Sequence, residues 1–553
     1  MAIPEEVTYD LRIDELLDVI AAKFPGVEAA IYDDLRRTYA QLRDDVEKLA
    51  AGLLKLGVQK GDRVGVWSVN RYEWQVAWFA LPRVGAILVP MDHWYRPEEA
   101  EYIMGHSEMV AVICTSNYLP MIADVRDKLP NLAHVVVMDG AAGKPGSDAP
   151  GVVDYSDVCS MVADWKDNQD VAARRQQLDK EDVTFILYTS GTTGNPKGAM
   201  LTHHNIVRNA IETCKVLRCG PEDKYLIPVP FSHCFGCVLA ITCATITGSS
   251  QIPLLDQTPS VALEKVTKEK ATVAHGTPTH FIRYIREKEA HPDKYDTSSL
   301  RTGIIAGAPC PPPVLEGIIN VLTMPDIVIG YGLTEASPII TLTSPDDDFD
   351  HRINSVGRPI PDIEVKIVDE DMREVPVGED GELVVRGPNV MKGYFKDPER
   401  TAQAIEPDGW LHTGDLARVD EEGYFKITGR IKDMIIYGGF NVYPKVVEDF
   451  LLKNPNVIEC AVVGVPDDEY GEVVAVVAKV EDGFTEQDLV DYCYGQISSP
   501  SVPRYVFFDL PIPLSGRGKV QKYKLRQTLA EMKKRGELGA PMVPTRVREK
   551  QKA

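Results

Sequence analysis

A short apolar strand that ends in a glycine-rich hydroxyl loop and then feeds an amphipathic helix constrains this chain more than any other stretch. Val183 to Tyr188 is the apolar run. YTSGTTGNPKG, Tyr188 to Gly198, continues it with three threonines, one serine, three glycines and one lysine in eleven residues. The helix beyond carries Ile206, Val207, Ala210, Ile211 and Cys214 on one face. Glycines let a backbone wrap closely around a ligand, and hydroxyls and amides are good partners for phosphate oxygens. The expectation is a polyphosphate grip. It is not a Walker loop, because Lys197 precedes Gly198 and the G-x-x-x-x-G-K-[ST] spacing is missing. A polar surface loop is the plainer alternative, which such clusters usually are.

The same grammar recurs along the chain. Arg37 to Leu56 reads as a strand end and a helix with Leu42, Val46, Leu49, Ala50 and Leu53 on its apolar face. Strands are expected at Val64 to Trp67, Ala86 to Val89, Val110 to Cys114 and Val135 to Met138, with a helix around Trp74 to Leu81. Further strands fit Ala271 to Ala274, Gly303 to Ala306 and Ile327 to Ile329; a helix begins at Pro278. This alternation implies layered α/β architecture. The strands before Thr189, Gly307 and Gly330 end in polar loops, and ligands of open α/β sheets sit beyond the carboxyl ends of strands. One cleft bounded by three loops is expected.

From about Asn354 the texture changes to short strands, Val365 to Val368, Gly381 to Arg386 and Gly423 to Thr428, which suggests a small β subdomain over 354–430. After Arg430 strands at Ile458 to Val465, Glu472 to Val480 and Tyr505 to Phe508 mix with helices at Gln487 to Ile497 and Lys522 to Lys534, an α+β unit over 431–535. The expected class is α/β: a large N-terminal domain over 1–430, of layered α/β subdomains plus the β subdomain, then the small α+β domain. A loose tail is expected over 536–553.

With 553 residues the chain is long enough for several domains. A net charge of −22 argues against a general nucleic-acid or acidic-membrane surface. Ten cysteines without framework spacing read as reduced and cytoplasmic, and Cys234 and Cys237 as small core residues. The acidic N-terminus shows no signal peptide. Tyr225 to Leu255 carries no Asp, Glu, Lys or Arg, but Pro228, Pro230, Ser232 and His233 interrupt it. A buried helix lining an apolar pocket is expected there, in place of a transmembrane span.

Read together, YTSGTTGNPKG, GYGLTEAS, GWLHTGD, GRIKDMIIYGGFNVYP and GKVQKYKLR occur in the order and approximate spacing of one family. From Thr38 to Arg526 the chain resembles the adenylate-forming superfamily, which includes acyl-CoA synthetases, aryl-CoA ligases and peptide-synthetase adenylation domains. The resemblance implies AMP-forming acid–CoA ligation in two steps. A carboxylate attacks the α-phosphate of ATP to give acyl-adenylate and pyrophosphate, and the thiol of coenzyme A then displaces AMP. The first step joins two anions, so positive charge and alignment are needed, with magnesium helping to neutralise the phosphates.

The resemblance also implies site residues. Thr189, Ser190, Gly191, Thr192, Thr193, Gly194, Asn195, Pro196 and Lys197 match the phosphate loop. Gly307, Ala308 and Pro309 match the segment along the adenine, and Tyr331, between Gly330 and Gly332, the ring that stacks on it. Thr334 would contact the α-phosphate and Glu335 would bind magnesium, as a hard oxygen ligand suits. Asp415 matches the carboxylate that accepts the ribose hydroxyls, assisted by Arg430. Lys519 matches the catalytic lysine between α-phosphate and carboxylate, and Lys432 the hinge on which the small domain swings between half-reactions. Gly438 and Gly439 would leave a tunnel for pantetheine, and His233 would gate the acyl pocket.

Arg517 departs from the family pattern in a way that bears on the conformation of the loop carrying Lys519, and Val446 and Pro500-Ser501 depart where coenzyme A contacts are expected. No Asp in the uncharged segment pairs with an α-amino group, so an apolar acid, medium-chain or cyclic or aryl, is expected over an amino acid. Loading of a carrier protein, and nucleotide binding without catalysis, are the alternatives. Monomer and homodimer both stay open.

Overall fold

The computed structural model describes residues 3–189, 195–514 and 520–547. The chain divides into two compact units, Met1–Val365 with Val385–Leu411, and Lys366–Val384 with His412–Ala553.

Two sheets organise the first unit. The larger has eight strands, and its centre is parallel: Arg63–Trp67 lies between Ile87–Met91 and Met109–Cys114, and Ile87–Met91 neighbours Val183–Thr189. These strands are continuous apolar runs because helices such as Tyr39–Lys55 and Tyr72–Arg83 pack around them, with Trp67, Trp74, Trp78 and Phe185 fully buried. Thr38 caps the first of those helices, its hydroxyl accepting from Gln41 N while the Gln41 side chain returns to Thr38 N. The second sheet has seven strands. Lys224–Ile227, Val273–Ala274, Thr302–Ile305 and Asp326–Gly332 run parallel, and Ile339–Leu342 turns antiparallel beside the last.

The strands in this second sheet approach closely at Gly303. A Cβ there would lie 1.8 Å from Ala274 O, a backbone atom of the adjacent strand that cannot move aside alone. Gly303→Ala is therefore expected to cost about 3 kcal/mol, the upper range for overpacking. Chemical denaturation of the variant checks it; unchanged stability would show that the strands can separate at no cost.

Three expectations need revision. Tyr225 to Leu254 is buried apart from the partly exposed Pro230 and His233, but the expected stretch holds strand Lys224–Ile227, a helical stretch and strand Ser250–Pro253 in place of one helix. The middle of the helical stretch, Cys237–Thr242, has π geometry. There His275 donates from Nε2 to Leu239 O at 3.1 Å and accepts at Nδ1 from Ile304 N at 3.0 Å. Burial lowers the His275 pKa to about 4, so the ring stays neutral and can do both.

The expected β subdomain is also shared out. Arg358–Pro359 extends the seven-stranded sheet and Gly393–Tyr394 the eight-stranded one. Only Glu364–Val368, Gly381–Arg386, Leu411–Val419 and Phe425–Arg430 form a sheet of their own. In the second unit, Val457–Asp467 and Gly471–Val480 make a long antiparallel pair, and Lys522–Arg535 packs Leu525 and Leu529 on one face of it. The tail is not loose as far as 547. Thr545 donates to both Asp491 carboxylate oxygens, and Met542 N bonds Arg504 O at 2.7 Å.

Candidate functional site

The three loops expected around one cleft leave two different sheets. Val183–Thr189 belongs to the eight-stranded sheet, while Thr302–Ile305 and Asp326–Gly332 belong to the seven-stranded one. Side chains join them. Thr189 Oγ1 donates to Glu335 Oε1 at 3.3 Å, across 146 residues of sequence. Tyr394 Oη donates to the same oxygen at 3.0 Å. Lys197, at the start of the antiparallel return strand Lys197–Thr202, holds its Nζ 4.8 Å from the centroid of the Tyr394 ring. Tyr394 is the member of this cluster that sequence reasoning missed. Its only sequence mark is a Gly-Tyr pair in a region of short strands.

Thr334 and Glu335 stand on a single 3₁₀ turn, Thr334–Ala336, beyond Gly332. The strand runs on through Gly330 and Tyr331 to Gly332, three residues past the expected end, because Tyr331 pairs with Thr341 and Gly332 with Ile339. Gly332 is required there: a Cβ would sit 1.8 Å from Pro338 O. Thr334 Oγ1 lies 3.6 Å from Cys234 Sγ, which places the uncharged helical stretch directly behind it. His233 caps that stretch, Nδ1 accepting from Phe235 N at 3.1 Å. Gly307 turns with φ +83°, and Ala308 and Pro309 follow it on the exposed surface. Asn195 lines a polar cleft of about 610 Å³ with Tyr102, Asp397 and Arg400. Pro196 O accepts from Tyr102 Oη at 3.2 Å. Ser190, Gly191, Thr192, Thr193 and Gly194 lie outside the described residues, as does Lys519.

The second unit presents its own constellation. Asp415 and Arg430 face each other across an antiparallel register, and Arg430 Nε lies 2.8 Å from Asp415 Oδ1. Asp415 is only 4% exposed. Gly414, with φ +70°, gives its N–H to Glu382 Oε1, and Thr413 Oγ1 accepts from Asp415 N, so the backbone around the carboxylate is fixed. Lys432 lies in the 3₁₀ turn Ile431–Asp433, where its carbonyl accepts from Arg526 Nη1 at 2.8 Å. Gly438 and Gly439 are the two central residues of the hairpin joining Ile435–Tyr437 to Phe440–Val442. Both have positive φ, +55° and +86°, the conformation a two-residue hairpin turn of this twist demands. Turn geometry thus gives these glycines a reason independent of any tunnel.

Among the described residues no group of three or more His, Cys, Asp or Glu could hold a metal by itself. Glu335 with the oxygens of Thr189 and Tyr394 is a hard donor set around one carboxylate. That fits magnesium, which binds through one or two carboxylates plus substrate phosphates.

Comparisons with known proteins identify the family. The model of the AMP-binding enzyme family matches residues 17–395, and that of the AMP-binding enzyme C-terminal domain matches 446–519. YngI of Bacillus subtilis, which carries the name of an acyl-CoA synthetase, is 41% identical over 545 residues, 94% of this chain and 97% of its own. The mitochondrial medium-chain acyl-CoA ligase ACSF2 of Danio rerio is 38% identical over 93% of this chain and 88% of its own. The crystal structure of the anthranilate CoA ligase AuaEII with anthranoyl-AMP superimposes with TM-score 0.84 at 27% identity, over 96% of this chain and 99% of that one. Matched by family models at both ends and by relatives over nearly its whole length, the chain belongs to the AMP-binding enzyme family, as one of its AMP-forming acid–CoA ligases.

Proposed function

We propose that this ligase activates an apolar, medium-chain carboxylic acid. The observation that carries the reading is the contact between Thr334 and Cys234, because behind it every residue from Cys234 to Ser250 is buried and none is charged. An acid held with its carboxylate near Thr334 has only apolar and small hydroxyl side chains to meet its tail. A charged or α-amino-bearing acid would leave an unpaired charge there, a cost of several kcal/mol. The medium-chain name of the Danio rerio relative supports the same choice.

In the first half-reaction one carboxylate oxygen of the acid forms a bond to the α-phosphorus of ATP, and the bond to the β-phosphate oxygen breaks, releasing pyrophosphate. Thr189 to Lys197 hold the leaving phosphates, Thr334 orients the α-phosphate, and Tyr331 and Gly307 to Pro309 take the adenine. Asp415 accepts from the ribose hydroxyls, and Lys519 bridges the two anions. Glu335 would hold magnesium, which would supply charge neutralisation of the triphosphate. In the second half-reaction the thiol sulfur bonds to the acyl carbon, AMP leaves, and the thiol proton passes to solvent. Arg430 assists at the ribose or phosphate, Lys432 is the hinge on which a small C-terminal domain turns between the two, bringing up Gly438 and Gly439 for coenzyme A, and His233 gates the acyl side. The enzyme works in the cytoplasm.

A pyrophosphate-release assay across butyrate, octanoate, palmitate, cyclohexanecarboxylate and benzoate tests the substrate class. Octanoate is expected to exceed butyrate and benzoate in kcat/KM by at least about tenfold, since each methylene in an apolar pocket contributes about 1 kcal/mol or more. A benzoate value above octanoate would replace the medium-chain reading with an aryl one.

A further inference from the structure

Glu335 has two carboxylate oxygens, and both hydrogen bonds its side chain accepts fall on one of them. Thr189 Oγ1 and Tyr394 Oη donate to Oε1 at 3.3 and 3.0 Å. Among the described residues nothing donates to Oε2. A carboxylate pinned through one oxygen presents the other in a fixed direction, whereas an unpinned one rotates about its last torsion.

The segment bearing Tyr394 is built to hold this position. Gly393–Tyr394 pairs with the strand that follows the phosphate loop, Tyr394 opposite Ala199 and Gly393 opposite Met200. Two residues earlier, Met391 N donates to Glu335 O at 2.8 Å. Tyr394 N donates to Thr401 Oγ1 at 2.9 Å. The same short segment is therefore tied to the backbone of Glu335, to its carboxylate and to the strand carrying Lys197. An ordinary phenol keeps its proton at neutral pH, so Tyr394 Oη is the donor in its contact with Glu335 Oε1. Its ring face receives the Lys197 ammonium at 4.8 Å, a cation–π distance. One side chain thus organises a carboxylate and an ammonium of opposite charge.

We propose that Tyr394 is a positioning residue for adenylation, which orients Glu335 toward the cation of a metal–triphosphate and parks Lys197 on its ring until the phosphates draw it away. This rests on the adenylation reading of the site. Loss of the hydroxyl removes a charge-assisted hydrogen bond but keeps the ring, so Tyr394→Phe separates the two roles.

The test measures Mn²⁺ as the probe ion by electron paramagnetic resonance, with the full-length enzyme and α,β-methylene-ATP, which cannot release pyrophosphate. Tyr394→Phe is expected to weaken Mn²⁺ binding in the ternary complex about tenfold, within the range for one charge-assisted bond. Nucleotide binding in EDTA is expected to change less than twofold, and so is thioester formation from supplied acyl-adenylate. In a Glu335→Gln background the tyrosine substitution is expected to add no further loss, because its effect passes through that carboxylate. Unchanged Mn²⁺ affinity in Tyr394→Phe, or losses that add fully in the double variant, would overturn the proposal. Pyrophosphate release by the wild type is measured beside it with ATP and acid. Its absence counts against adenylation itself, while normal release with unchanged Mn²⁺ affinity counts against Tyr394 alone.

Discussion

Lys519→Ala is expected to slow acyl-adenylate formation by a factor of about 10² to 10³ and to leave thioester formation from supplied acyl-adenylate within about twofold. The magnitude is that of removing one preorganised charge or donor from a site where charge develops. The asymmetry follows from the chemistry. Adenylation brings a carboxylate against a phosphate, and an ammonium between them offsets the repulsion and aligns the attacking oxygen. Thioester formation starts from an acyl group already activated, with no second anion to approach. The chain just beyond Lys519 is firmly held in the second unit. Lys522, three residues on, pairs with the partly buried Glu448 at 2.7 Å, and Glu448 Oε1 also accepts from Val462 N at 2.8 Å. Leu525 and Leu529 then bury the following helix. With this segment anchored by other residues, substituting Lys519 should not unfold the unit. Single-turnover quench experiments with acid and ATP, and separately with synthetic acyl-adenylate and coenzyme A, measure the two rates. Equal loss in both halves would mean that Lys519 supports the fold or binds a common group, and the assignment would fall.

How much of this was legible beforehand depends on the range of the cause. Strands and helices such as Val183–Thr189, His203–Leu217 and Val457–Asp467 followed from local apolar period, because each buries its own face. The motif residues were read from resemblance to a family, and of these Thr334 and Glu335 stand on the turn just beyond the strand that ends at Gly332. What stayed hidden was set by pairing across long sequence distances. Nothing local says that Gly393–Tyr394 joins a strand almost two hundred residues earlier, or that Tyr394 reaches back 59 residues to Glu335. The β-rich texture after Asn354 was real, yet strands too short to bury a face alone attach to whichever sheet edge is at hand, as Arg358–Pro359 does. The tail misled for a related reason. Its polar composition hid two apolar residues, Leu538 and Met542, packed against buried side chains of the second unit.

Asp415 should give the second large effect, and one that nucleotide chemistry can dissect. Its carboxylate is nearly buried, with Arg430 on Oδ1 and a backbone fixed by Gly414 and Thr413. Such a group is preorganised to accept from a pair of vicinal hydroxyls, and hydrogen bonds to a charged acceptor are worth about 1.5 to 3 kcal/mol each. Asp415→Ala is therefore expected to weaken ATP binding about 10²-fold, while Asp415→Asn, which keeps one acceptor oxygen and loses the charge, falls between. Removing the carboxylate also leaves Arg430 without this partner, so part of the loss could reflect the arginine and not the ribose. The ligand resolves that ambiguity. With the wild type, 2′-deoxy-ATP is expected to bind about tenfold more weakly than ATP. With Asp415→Ala the same change should cost less than twofold, because the acceptor that read the hydroxyl is gone. Isothermal titration of both nucleotides against both proteins closes the cycle. If the alanine variant still distinguishes the two nucleotides tenfold, the ribose is read by another residue, and Asp415 serves only to hold Arg430.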